Sequence, residues 1–340
     1  MFERDADLLT LEARPRQGSV AMSLSGKLHR EIQQAKARVY RLARPTPLHT
    51  VRHSCGLPFL LKREDLSPIH SYKWRGAMNR LALLASQGCR YIVCASAGNH
   101  SQGVALASRA LGMSATIFMP HSAQELKVEQ SRKLLGQQGN VILMGGSFDE
   151  ALRAALLHAA KVKAEFIGPF DDIHVIAGQG TIGLEILQTC RHPGTVYLQI
   201  GGGGLAAGVA CALKCIDPSI RIVGVEAEHQ ASMTAAFTAG EPVPLDQVDL
   251  FCDGTAVKQA GKLTHQLCRE LLDDIVTVSN DDVRNAIKFL WNEQRIVPEP
   301  SGALGLAALL REHDPSQIEN AIVILSGSNM NFSRLAALAS

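Results

Sequence analysis

The stretch Thr195-Val196-Tyr197-Leu198-Gln199-Ile200-Gly201-Gly202-Gly203-Gly204-Leu205-Ala206-Ala207-Gly208 runs as an apolar strand into four glycines and leaves as a helix of small residues. Glycines at a strand-to-helix junction let main-chain N–H groups close around an anion, and the helix N-terminus adds favourable partial charge. A phosphorylated ligand is the inference, because four consecutive glycines carry an entropic cost that a packing turn rarely requires. Gly202, Gly204 and Ala207 also fit G-x-G-x-x-A, and Glu226 ends the next strand. Taken alone, these residues leave open a dinucleotide ligand and with it an NAD(P)-binding oxidoreductase.

The same alternation extends in both directions. Tyr91–Cys94, Ala115–Met119 and Val141–Met144 read as strands, each followed by a helix, over 101–111, 124–135 and 148–164. A helix over 26–42, the strand Phe59–Lys62 and a helix from Arg75 to Ser86 precede them. After them come a helix over 178–189, the strand Ile220–Val225, helices over 280–293 and 302–311, and the strand Ala321–Leu325. The pattern predicts an α/β fold of two doubly wound, parallel-sheet units that part near Gly168-Pro169-Phe170. No repeat or flexible linker intervenes, so the two are expected to pack closely.

Of the 340 residues, 46% are hydrophobic, enough to fill a sizeable core, and 34 basic against 32 acidic residues leave a net charge of +2. No block of like charge marks a nucleic-acid or membrane surface. No run of about 18 apolar residues predicts a span, and residues 1–18 mix both charges without an apolar centre. The eight cysteines include no Cys-x-x-Cys pair, which argues against zinc and thioredoxin-like chemistry. The expectation is a cytoplasmic protein acting on a small molecule, with no nucleic-acid or membrane partner and no metal.

Three further stretches carry candidate chemistry. In Pro68-Ile69-His70-Ser71-Tyr72-Lys73-Trp74-Arg75-Gly76-Ala77, one lysine stands between aromatic rings ahead of a helix. Desolvation there favours the neutral amine, a nucleophile towards carbonyls, while a surface lysine lying on the rings is the commoner origin of such a pattern. Ser96-Ala97-Gly98-Asn99-His100 follows a strand and opens a helix; its N–H groups suit a carboxylate and Asn99 a ring oxygen, or Ser and Asn merely cap. Ser326-Gly327-Ser328-Asn329 follows the last strand and offers a hydroxyl to a ring nitrogen. Glu299, in Pro298-Glu299-Pro300, also reads as a helix-start carboxylate.

Together these stretches resemble the pyridoxal-phosphate enzymes of the tryptophan-synthase-β type (fold type II), and within them the biosynthetic threonine dehydratases (threonine ammonia-lyases). The resemblance runs from Arg44-Pro45-Thr46-Pro47-Leu48 and Lys62-Arg63-Glu64-Asp65 through the lysine motif, residues 96–105, 146–151 and 175–187, the glycine loop, and residues 224–228, 298–307 and 325–332. It implies that Lys73 bonds to pyridoxal 5'-phosphate and acts as the catalytic residue, with Ser71 beside it. Gly201, Gly202, Gly203, Gly204 and Leu205 would hold the phosphate, Asn99 the ring hydroxyl and Ser326 the ring nitrogen, with Glu299 next to the cofactor. Ser96, Ala97, Gly98, Asn99 and His100 would surround the substrate carboxylate.

The resemblance also implies β-elimination of L-threonine or L-serine to a 2-oxo acid and ammonia, in a homodimer or homotetramer. Its domains would be a large one of residues 1–87 with 171–340, and a small α/β one of 88–170. A racemase, a hydroxyaspartate lyase or a β-replacement synthase are alternatives on the same fold. Biosynthetic threonine dehydratases continue into a regulatory domain, whereas this sequence stops eleven residues after Asn329, so feedback control is expected to be missing. Serine racemases carry Ser-Ser-Gly-Asn where this chain has Ser96-Ala97-Gly98-Asn99; a methyl group neither takes nor gives a proton, so elimination without racemisation is expected. His229, Gln230 and Ser232 after Glu226 do not match the racemases' cation site. Tyr72 and Trp74 stand where Phe and an aliphatic residue are common.

Overall fold

Among the residues described by the structure, a computed structural model covering 23–339, ten strands form two sheets. The charged stretch at residues 1–18 lies outside the described residues. The strands are β1 (Leu48–Arg52), β2 (Pro58–Arg63), β3 (Tyr91–Ala95), β4 (Ser114–Met119), β5 (Gly139–Leu143), β6 (Glu165–Phe166), β7 (Val196–Gln199), β8 (Ile222–Ala227), β9 (Asp274–Val278) and β10 (Ile322–Leu325). One sheet has the order β1-β2-β10-β7-β8-β9 and the other β5-β4-β3-β6. All pairs are parallel except β1–β2, where Leu48 faces Lys62. The short link between β1 and β2 turns through Gly56 at φ +88°, and a link that short cannot make a parallel crossover.

The principal helices are α1 (Leu24–Val39), α2 (Lys73–Ser86), α3 (Asn99–Leu111), α4 (Glu125–Leu135), α5 (Phe148–Val162), α6 (Ile173–Thr189), α7 (Gly204–Lys214), α8 (Ser232–Ala239), α9 (Lys262–Leu271), α10 (Asn280–Phe289) and α11 (Pro300–Leu310). α6 starts at Ile173 rather than 178, because the Asp172 carboxylate accepts from the N–H groups of His174 and Val175. α10 ends at Phe289, ahead of a wide turn closed by Arg295 at φ +56°.

Every residue of β7, β8 and β10 is buried, as expected of parallel strands covered on both faces. Leu198, Ile322 and Ile324 pack towards α1, α6 and α7, whereas Tyr197, Val323 and Leu325 pack towards α10 and α11. The C-terminal ends of β10, β7 and β3 deliver Ser326, Gly201 and Ser96, and α2 places Lys73 among them.

Two features fix α2. A Cβ on Gly178 would fall 2.6 Å from Gly76 Cα, so α2 and α6 meet backbone to backbone. The fully buried Arg75 also holds two carboxylates: Glu64 at 2.8 and 2.9 Å, and Glu185 at 2.5 and 3.0 Å. Lys62 pairs with Glu185, and Tyr40 and Thr46 add hydrogen bonds to it. Burial would raise the Glu185 pKa, but Arg75 and then Lys62 hold it below the usual carboxylate range. Two acids and two bases thus balance beneath the lysine motif.

Candidate active site

Lys73 is the first residue of α2, and its Nζ donates to the Pro169 carbonyl at 3.0 Å. Burial lowers its pKa to about 8, opposed by Glu299. A partly buried amine with its proton held this loosely suits a nucleophile better than a freely solvated surface lysine does. Only one of the two flanking rings accompanies it. Tyr72 lies 5.3 Å from Nζ, while Trp74 is fully buried in the core against the Arg75 guanidinium.

Main-chain bonds stitch this motif to the last strand. Tyr72 N donates to Ser326 O at 3.0 Å, Ser328 N donates to His70 O at 2.9 Å, and Ser71 bridges to Gly327. Ser326 is buried beside the lysine turn. The Ser71 hydroxyl is buried there without a hydrogen-bond partner. An orphaned polar atom at such a place points to a ligand.

The glycine loop ends at Gly203, which caps α7 at φ +93° without any side-chain oxygen. The first N–H groups of α7 are therefore available to an anion. Only glycine fits this turn: a Cβ on Gly203 would lie 2.6 Å from Met233 Cε, and one on Gly202 would lie 2.3 Å from Phe170 Cδ1. Leu205 is buried in the first turn of α7. Thr264 Oγ1 donates to Gly202 O at 2.6 Å. Asp171 in turn caps α9, accepting from Lys262, Leu263 and Thr264 N–H at 3.0, 2.9 and 3.0 Å. Pro169, Phe170 and Asp171 thus touch the lysine, the loop and the helix that braces the loop. The sequence marks them only as a boundary between units.

Glu226 has a different task from the one a dinucleotide requires. It is fully buried and accepts from Met233 N, Thr234 N and Thr234 Oγ1 at 2.8, 2.8 and 2.7 Å, capping α8. The dinucleotide reading loses its ribose partner.

Asn99 begins α3 and joins three of the sequence motifs. Its Nδ2 donates to Glu299 Oε1 at 2.8 Å, and its Oδ1 accepts from Asn329 Nδ2 at 2.8 Å. One amide hydrogen remains for a ligand. Glu299 stands at the N-cap of α11, as a helix-start carboxylate would, yet its side chain makes no cap bond and turns to Asn99 instead. Burial, then Asp253, raises its pKa to about 7, against Lys127 and Asn99.

Ser96 Oγ accepts from Gly98 N at 3.2 Å, shaping the turn that holds Ala97. The buried His100 ring meets the Ile167 carbonyl at 3.0 Å through Nε2. Burial, then Lys73, lowers its pKa to about 4, so it is a neutral brace between α3 and the segment after β6. Among the described residues, no group of three or more His, Cys, Asp or Glu is placed to hold a metal ion.

Pyridoxal phosphate asks for an amine that loses its proton easily, an anion cradle and polar groups around a ring. Lys73, the uncapped start of α7, and Ser71, Asn99 and Ser326 meet those demands. The profile described as pyridoxal-phosphate dependent enzyme matches residues 39–327. The L-threonine dehydratase biosynthetic IlvA of Haemophilus influenzae is 45% identical over 310 residues; the match covers 89% of this chain and spans only 60% of that protein's length. Threonine deaminase isoform 2 from Solanum lycopersicum, in its processed form, is similar at a TM-score of 0.85 and 39% identity, over 92% of this chain and 87% of that one. Maize serine racemase is similar at a TM-score of 0.83 and 31% identity, over 91% and 95%. With the lysine, the glycine loop and the two sheets in this arrangement, the chain belongs to the pyridoxal-phosphate dependent enzyme family, in fold type II.

Proposed function

We propose that this chain is an ammonia-lyase that converts L-threonine, and L-serine as a second substrate, to a 2-oxo acid and ammonia. The observation that carries the proposal is the Lys73 amine, depressed to a pKa of about 8 and lying among the strand ends that also bring the glycine loop and Asn99. The threonine dehydratases and deaminase among its relatives support the substrate class.

Pyridoxal phosphate, when bound, supplies the electron sink that makes the substrate Cα–H acidic. In this reading Gly201–Leu205 bind its phosphate through main-chain N–H groups, Asn99 and Ser326 orient its ring, and Glu299 holds Asn99. Ser326 would offer the ring nitrogen a neutral hydroxyl rather than a carboxylate. Lys73 is of fitting strength to take a proton from a Cα held before it, with the Ser71 hydroxyl alongside. The turn Ser96–His100 binds the substrate carboxylate, with the His100 ring holding that turn in place. Ala97 has a methyl group where serine racemases carry a hydroxyl and could neither take nor give a proton there, which supports elimination over racemisation.

Residues 88–170 form the small domain, and the described residues of 1–87 and 171–340 the large one, a division supported by the separation of the strands into two sheets. In this reading the protein works in the reducing cytoplasm, which its scattered cysteines support, and forms a homodimer or homotetramer, as the family resemblance implies.

The test is to incubate the purified protein with pyridoxal phosphate and L-threonine, and to measure 2-oxobutanoate and ammonia. Equal amounts of both are expected. If neither threonine nor serine yields a 2-oxo acid, while serine is converted to its D-isomer, the proposal fails.

A further inference from the structure

α7 begins at the glycine loop and carries two cysteines at its other end. Cys211 is fully buried, Cys215 one turn later is exposed, and their sulfurs lie 3.9 Å apart. Residues four apart share a helix face, which brings the two thiols together. Cys211 Sγ also donates to Ser25 O at 3.3 Å, anchoring the buried partner. The surroundings activate the exposed one. The neighbouring Cys211 sulfur, and then the His29 imidazole of α1, favour the thiolate and hold the Cys215 thiol below its usual range, against partial burial and the nearby Glu270. His29 Nδ1 is itself buried and without a hydrogen-bond partner.

The other thiols make a built-in comparison. Cys94, Cys252 and Cys268 are buried, and burial pushes each of them up. Cys55 is exposed and has an imidazole neighbour, His53 Nδ1 at 3.0 Å, yet no second thiol beside it.

We propose that Cys215 is a site of oxidation by hydrogen peroxide and that Cys211 resolves the product to an intramolecular disulfide. The Cys215 sulfur attacks one peroxide oxygen; the O–O bond breaks, sulfur is oxidised to a sulfenic acid, and the other oxygen leaves as water. The Cys211 sulfur then attacks the Cys215 sulfur, an S–S bond forms, and hydroxide leaves with the Cys211 proton as a second water. Cβ atoms four residues apart on a helix are about 5–6 Å apart, whereas a disulfide needs about 3.5–4.5 Å. Closing that gap requires the last turn of α7 to open: Cys215 is the C-cap residue, and its own N–H bond to Cys211 O, at 3.2 Å, has to give way.

The holoenzyme is treated with hydrogen peroxide, with and without dimedone to trap sulfenic acid, and digested without reductant for peptide mass spectrometry. A Cys211–Cys215 disulfide is expected in the wild type, and dimedone on Cys215 in Cys211→Ala, at a rate several-fold above that of Cys55. Cys215→Ser, a change at an exposed position, is expected to abolish both products. Labelling of Cys55 as fast as Cys215, an unreacted Cys215 in the wild type, or a Cys215–Cys215 link between chains would each overturn the proposal. None of these readouts depends on the substrate.

Discussion

Asp171→Ala tests whether the phosphate cradle is held from a distance. The carboxylate accepts all three N–H bonds at the start of α9, whose own cap residue, Gly261, has no side chain to offer. Gly261 leaves the room Asp171 needs: a Cβ there would sit 2.3 Å from Asp171 Oδ1. Loss of such a cap costs about 0.5–2 kcal/mol. Thr264 passes the disturbance to Gly202 O through its 2.6 Å hydrogen bond. Asp171 is exposed, so part of the loss is recovered by water, and roughly a three- to tenfold weaker hold on pyridoxal phosphate is expected. The assay is an absorbance titration of cofactor-free protein with pyridoxal phosphate and, separately, with pyridoxal, which lacks the phosphate. Weakening should be confined to the phosphorylated compound. Asp171→Asn should recover part of it, since Oδ1 alone accepts two of the three bonds. Equal weakening for both compounds, or none for the phosphate with α9 intact, would refute the relay.

Gly203→Ala should weaken pyridoxal phosphate binding more severely, since φ +93° strains any other residue by about 1–3 kcal/mol and the new methyl meets Met233; unchanged affinity in the same titration would count against the cradle. Arg75→Met leaves Glu64 and Glu185 with Lys62 alone and should cost about 3–5 kcal/mol of stability in urea unfolding. A loss below about 1 kcal/mol would show the cluster to be dispensable. With Lys73 as the proposed cofactor amine, uptake of pyridoxal phosphate should go through its neutral form, rising with pH and levelling off above about 8; a midpoint near the ordinary 10.5 would contradict the burial argument. Between those values the unfolded chain holds the extra proton, so the stability of the cofactor-free protein should rise with pH across that window. On chiral chromatography, L-serine should give pyruvate with little D-serine, and Ala97→Ser should raise the D-isomer; more D-serine than pyruvate from the wild type would be the opposite result.

Elements buried on both faces were the legible ones. β7, β8 and β10 are short apolar runs, and β7 and β10 run into a glycine and a serine just where the site gathers. β1 and β9 escaped because half-exposed strands such as Leu48–Arg52 and Asp274–Val278 mix polar and apolar residues, and β6 has only two residues. Side-chain direction was the other limit. Nothing in the order Tyr72-Lys73-Trp74 says that only Tyr72 joins the amine; that follows from α2 starting at Lys73 and turning Trp74 into the core. Glu226 and Glu299 both follow or precede a helix start in the sequence, yet one caps α8 and the other turns to Asn99. Asp171 carries no local signal at all, since its partners lie about 90 residues further along the chain.

The proposed function stands or falls with one amine, Lys73, as the carrier of the cofactor. Protein loaded with pyridoxal phosphate and reduced with sodium borohydride fixes the lysine–cofactor bond as a stable secondary amine, which peptide mass spectrometry then locates. A single pyridoxyl group on Lys73 is predicted, and it should be lost in Lys73→Ala. A label on another lysine, or one spread over several exposed lysines with Lys73 unmodified, would contradict the account.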